Sequence, residues 1–152
     1  MANDQAEILK QKAKEAIDIY SSELYDLNKS IWENPELCFK ETHAHDRLTK
    51  FLAERGFNVT PHYTVDTAFR AECGEDGGLT VGLISEYDAL PEVGHACGHN
   101  LIAESGVAAA LGEFMVAVRY RSRFRDQNNF HIEQYLLIHL HRFSFILFFT
   151  HK

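Results

Sequence analysis

The chain has 152 residues, is 45% apolar and carries a formal charge of -7. That is enough apolar content for a core of ordinary size. The sign of the charge argues against nucleic acid, whose phosphates need Lys and Arg clustered on one face; the local exception is Arg119, Arg121, Arg123 and Arg125 near the C-terminus. Cys38, Cys73 and Cys97 cannot all pair, and no apolar leader follows Met1. No run approaches the roughly 18 consecutive apolar residues of a membrane helix. The expectation is a chain of the reducing cytoplasm with neither nucleic acid nor membrane as partner.

From Gln5 to Ile31, apolar residues recur at Ile8, Ile17, Tyr20, Leu24, Leu27 and Ile31, which predicts one long amphipathic helix. Pro35 should end it at Asn34, since the residue before a proline is pushed out of the helical region. A second helix is predicted over Glu41 to Arg55, burying Leu48, Phe51 and Leu52 and stopped by Gly56. His43 and His45 are two apart in it, so they face different sides and are read as surface residues. The pattern then turns strand-like in 57–63, 67–73 and 79–85. The glycines of 74–78 suit a hairpin between the last two strands. Leu79 to Ser85 is apolar on both faces, as expected of a central strand between helical layers. An Ala-rich helix follows from near Asn100, its small residues suited to close packing on the sheet.

Between that strand and that helix lies the densest chemistry, GLISEYDALPEVGHACGHN, residues 82–100. Glu86, Asp88, Glu92, His95, Cys97 and His99 fall within fourteen positions. Cys97 and His99, separated by Gly98, offer a thiolate and an imidazole, a pairing that suits zinc. Glu86 and Asp88 are two apart in an extended segment, so both should point to one side, at the carboxyl end of a strand, where open α/β sheets gather ligands. Taken singly, Cys97 reads more readily as a buried thiol, His99 as a core or capping residue and Asp88 as a loop former. Cys38 and Cys73 read as structural thiols. His139 and His141 make an HxH, but in an aromatic setting that does not suggest a metal pair.

DALP followed by GHACGHN resembles the M20 family of metallopeptidases and amidohydrolases, and Asn100 after the His is similar to its subgroup of dipeptidases acting on basic β-alanyl and related dipeptides. The resemblance runs from about Ile8 to about Gly112 and includes Asn34, Pro35 and Glu36 with Glu41 and Thr42, elements of mainly architectural role. It implies an α/β fold, the N-terminal part of an M20-type catalytic domain with helices on a mixed sheet. It also implies metal ligation by Cys97 and His99, with zinc the expected cation and manganese accommodated by the family. Asp88 would fix or activate a metal-bound group, while Glu86, His95 and Asn100 would stand on the substrate side or behind the ligands. The substrate would be a dipeptide or an N-acyl amino acid, and dimerisation of full-length relatives is allowed for.

Beyond about Gly112 the sequence departs from the family. The Glu-Glu pair that should supply a general base and a ligand, the later histidines and the lid domain cannot be located. The expectation is a partial catalytic domain over 1–112 and an out-of-family, poorly ordered tail over 113–152, as in a truncated or alternatively spliced product. Such a chain is expected to lack catalysis of its own. It would act, if it acts, by binding a partner, or as a small structural zinc module, a weaker reading without a CxxC pair.

Overall fold

The computed structural model describes residues 2–74, 80–125 and 142–147. In order they form α1 (Ala2–Ile19), α2 (Ser21–Glu33), α3 (Thr42–Ala53), β1 (Asn58–Pro61), β2 (Phe69–Gly74), β3 (Thr80–Ser85), α4 (His99–Arg125) and β4 (Arg142–Leu147). The result is the expected α/β arrangement with a mixed sheet, in the order β1-β2-β4-β3. β4 runs antiparallel to β2 and parallel to β3.

The single long helix expected over Gln5 to Ile31 is two. Tyr20 lies at φ -95, ψ 5, and its amide bonds the Ile17 carbonyl at 3.0 Å, a tightened i to i-3 contact that ends α1. Ser21 and Ser22 follow, residues that favour helix ends over interiors. The Arg55 guanidinium lies 3.4 Å from the Phe51 ring centroid and 5.2 Å from that of Tyr20, so the break is packed rather than frayed. After it, Leu24, Leu27 and Ile31 are buried one helical turn apart.

α3 has the expected inner face of Leu48, Phe51 and Leu52, and Gly56 takes the left-handed conformation, φ +88, that ends the turn beyond it. His45 corrects the surface reading: it is 3% exposed. Its ring stacks on His62 at 4.7 Å and meets Phe69 edge-on at 6.0 Å. His43 is half-buried and bonds Ser30 on α2 at 3.0 Å. The spacing rule held, in that the two face different sides, but both sides are covered, one by α2 and one by the β1–β2 connection.

The strands differ from expectation in their neighbours. β2 and β3 are not paired with each other, because β4 lies between them; residues 75–79 of the expected hairpin loop fall outside the described residues. β3 is therefore the last strand of the described sheet. Leu83 packs on the core and Ser85 is buried on one face of β3, while Ile84 on the other is 67% exposed, so a helical layer covers one face and the other is open among the described residues. α2, α3, α4, β2 and Tyr87 share one core, with Leu27, Ile31, Leu48, Leu52, Phe69 and Val107 fully buried. α4 crosses Gly112 without a break, and there an added Cβ would come within 3.3 Å of Ile17 Cδ1. The expectations for His139 and His141 lie outside the described residues, as does most of the expected tail.

Leu27 has no exposed surface and sits where α2 meets the common core. Leu27→Ala should lower unfolding stability by about 2–5 kcal/mol, read as an earlier urea midpoint at unchanged slope.

Candidate metal centre

The site begins with two segments that hold each other. The Ala89 amide donates to the Glu36 carbonyl at 2.7 Å, and Leu37 and Ala89 form a parallel bridge. The Glu36 carboxylate meanwhile accepts from Thr42 Oγ1 at 3.1 Å, the His43 amide at 2.9 Å and the Ala44 amide at 3.0 Å. It thereby satisfies donors at the start of α3 that have no partner within the helix. The Asn-Pro-Glu turn thus both caps α3 and fixes the chain next to Asp88, the architectural role its resemblance implied.

From Ala89 the chain turns back through a bridge between Leu90 and Gly94. It then reaches Gly98, whose amide bonds the His95 carbonyl at 3.0 Å and whose carbonyl accepts from Leu101 and Ile102 as α4 starts. Gly98 has φ +81 and nothing within 4 Å of a Cβ position, so the glycine is needed for its backbone conformation rather than for space. Ser85, at the end of β3, donates to the Ile102 carbonyl at 2.8 Å and closes the loop between strand and helix.

This closure brings His99 onto the carboxylates. Its Nδ1 lies 2.8 Å from Asp88 Oδ1; an ionised carboxylate only accepts, so Nδ1 donates. Its Nε2 lies 3.9 Å from Glu86 Oε1. Glu86 and Asp88 therefore share one side of the segment, as the alternation of an extended chain requires. Tyr87 between them points into the core, 1% exposed. Cys97 is exposed, with its sulfur 3.9 Å from the Asp88 carbonyl.

The remaining candidates lie further in. His95 is 8% exposed, and neither ring nitrogen has a partner of good hydrogen-bond geometry. Burial holds its pKa below the usual imidazole range and His99 adds to this, while the Ile31 backbone, Asp88 and Glu36 pull the other way. Asn100 turns to α2, where it donates to Asn28, which in turn donates to Glu104. The structure thus places Asn100 in a part-buried polar link between α2 and α4.

Sequence reasoning assigned no part to Thr67 or Tyr87 and gave Glu41 only an architectural one. Glu41, fully buried, accepts from the Phe39 amide and from Thr67 Oγ1, each at 2.8 Å. Tyr87 donates its hydroxyl to the Thr67 carbonyl. Cys38 is half-buried, and burial, then the charges of Glu41 and Asp88, push its thiol pKa up. Cys73 is pushed up to about 11 by burial and by Glu113, as suits a structural thiol. The nearest sequence signal was the Glu41-Thr42 pair.

The donor chemistry suits a divalent cation in part. Cys97 offers a soft sulfur and His99 a ring whose second nitrogen faces away from Asp88, the carboxylate–histidine pairing found behind metal ligands. Among the described residues, however, no three His, Cys, Asp or Glu side chains gather closely enough to hold an ion.

No family model matches the chain. In fold it resembles a solved dinuclear metal-binding peptidase of the M20 family from Bacillus subtilis, with a TM-score of 0.61 at 20% identity, over 86% of this chain and 35% of that one. The described residues thus share the fold of part of that peptidase. In sequence the chain is a homologue of the Xaa-Arg dipeptidases: it is 47% identical to the mouse protein over 116 residues and 46% identical to the human protein over 119, in each case over 70% of this chain. It spans 27% of the length of these relatives.

The buried Glu41 gives a pH expectation. Desolvation raises its pKa, as does Asp88, against hydrogen bonds from Thr67 and the backbone that lower it. The folded state therefore holds this proton more tightly than the unfolded chain, and the associated stability is present below about pH 4.3, the usual Glu value, and is lost as pH rises through the folded pKa. Glu41→Gln should flatten that dependence. Urea unfolding of both proteins from pH 4 to 7 checks it, with wild type losing ground to the variant as pH rises.

Proposed function

We propose that this chain carries one side of the divalent-metal site of an M20-type amide hydrolase, with Cys97 and His99 as ligands and Asp88 as the carboxylate that orients His99. The observation that carries this reading is the 2.8 Å contact between Asp88 Oδ1 and His99 Nδ1, two residues beyond Cys97. It fixes the imidazole tautomer with the proton on Nδ1 and leaves the Nε2 lone pair free to ligate. A sulfur and a nitrogen ligand favour zinc over the harder manganese. A divalent cation held there would lower the pKa of a water and polarise a scissile carbonyl. Glu86, 3.9 Å from Nε2, and His95, which backs the Cys97 loop, are assigned to the substrate side or to the support of the ligands.

By their names the relatives act on dipeptides ending in arginine, and a dipeptide with a basic residue is the substrate class proposed here for the complete hydrolase. The chain alone is proposed to be inactive. Hydrolysis needs a general base near the metal-bound water, and removing one costs about two to four orders of magnitude in rate. Glu113 lies on α4, fourteen residues beyond His99, about 21 Å at 1.5 Å per residue, while Asp126 and Glu133 lie outside the described residues. Three free cysteines suit the proposed cytoplasmic location. A second reading, favoured by the open face at Ile84, is a non-catalytic role in which the chain binds a full-length relative, to be tested by pulldown.

The purified chain should bind zinc weakly, and Cys97→Ser should weaken binding further in a chelator-competition titration. A tight stoichiometric site indifferent to that substitution would contradict the assignment. Assayed beside a full-length relative with added zinc or manganese, the chain should show no dipeptide turnover while the relative does. Turnover by the chain that vanishes in Cys97→Ala would contradict the proposed inactivity.

A further inference from the structure

Glu41 stands where an N-cap residue of α3 should be, yet makes no side-chain cap bond. Capping is supplied by Glu36, and the Glu41 carboxylate is turned inward with no exposed surface. Among the described residues, no cation is found among its hydrogen-bond partners, the Phe39 amide and the Thr67 hydroxyl. Burying a carboxylate in this way is costly, and the two hydrogen bonds it accepts are what offset that cost.

The contacts say what it holds. Phe39, with φ +63, is kept in the left-handed region, unfavourable for a bulky side chain, by its amide bond to Glu41. On the other side Thr67, 3% exposed, gives its hydroxyl to Glu41 and takes the Tyr87 hydroxyl on its carbonyl. The Tyr87 ring lies against Phe69, centroids 6.3 Å apart and 24° between planes. The connection carrying Thr67 is pinned again from α3, since the His62 amide donates to His45 Nε2 at 3.5 Å and the two rings stack. Because side chains alternate along an extended segment, anchoring Tyr87 inward sets the rotation at which Glu86 and Asp88 face His99.

We propose that Glu41 is a positioning residue for the metal corner: through Thr67 and Tyr87 it fixes the Glu86 to Asp88 segment and so the orientation of the His99 imidazole. This rests on the reading of Cys97 and His99 as metal donors. Partners that orient a metal-binding His are typically worth about 10–100-fold in affinity; Glu41 acts several links further back, through Thr67, Tyr87 and Asp88, so the effect is expected at the lower end of that range.

The test uses the whole chain and zinc as the probe, with affinity measured by chelator competition and the His99 tautomer by ring nitrogen NMR of the metal-free protein. Thr67→Val should weaken zinc binding about tenfold and mix the His99 tautomers, while Thr67→Ser, which keeps the hydroxyl, should restore both. A folded Thr67→Val with wild-type affinity and an unmixed tautomer would overturn the proposal. If Thr67→Val does not fold, Tyr87→Phe removes only the phenolic hydroxyl and carries the same expectation; loss of folding in both would make the link purely structural and overturn it too. Cys97→Ser in the same series separates the two failures: zinc affinity unchanged by it removes the metal reading, whereas affinity lost there but kept in folded Thr67→Val removes only the role of Glu41.

Discussion

The contact between Asp88 and His99 depends on a turn that leaves β3, passes Pro91 and returns to the start of α4, and most of the described structure serves to hold that turn. The Glu36 carbonyl fixes it at Ala89, Ser85 ties the strand end to the first turn of α4, and the left-handed Gly98 lets His99 begin the helix. The carboxylate at Nδ1 does two things at once: it selects the tautomer, and it leaves Nε2 as the nitrogen available for a cation. Without the Asn-Pro-Glu turn beneath Ala89, the two would not be held in register.

The same corner is incomplete in a way that follows from its chemistry. Glu86 and Asp88, both about four-fifths buried, converge on one imidazole without a third donor in place. If Cys97 and His99 are the ligands, as proposed, two protein donors would leave half of a tetrahedral zinc sphere to water, which is why weak binding is expected. The open face of β3 is the packing counterpart, with an apolar Ile84 at the end of a sheet that has no cover there among the described residues.

Much of this was legible in the sequence, for identifiable reasons. Periodicity exposed the inner face of α3 because Leu48, Phe51 and Leu52 share one stripe, and alternation put Glu86 and Asp88 on one side because an extended chain permits nothing else. Cys97 and His99 stood out through donor type and spacing. Periodicity could not see the break at Tyr20, because an apolar stripe continues across a single tightened turn. His45 was misread because spacing gives the angle between two residues on a helix, not what lies opposite each; its cover, His62 and Phe69, comes from the connection and strand that follow. The place of β4 between β2 and β3 was hidden because strand order is set by long-range pairing, and the Phe-rich segment carried no turn signal to announce it. Glu41 escaped as a buried carboxylate because only its partners, 26 residues on at Thr67 and then Tyr87, distinguish it from a helix cap.

X-ray absorption at the zinc edge of the loaded chain tests the central claim most directly. If Cys97 and His99 are the protein ligands, the first shell contains one sulfur at about 2.3 Å and one imidazole nitrogen at about 2.0 Å, with oxygen completing it. A first shell without sulfur, or one with two or more sulfurs, would contradict the assignment of this corner as half of an M20-type metal site.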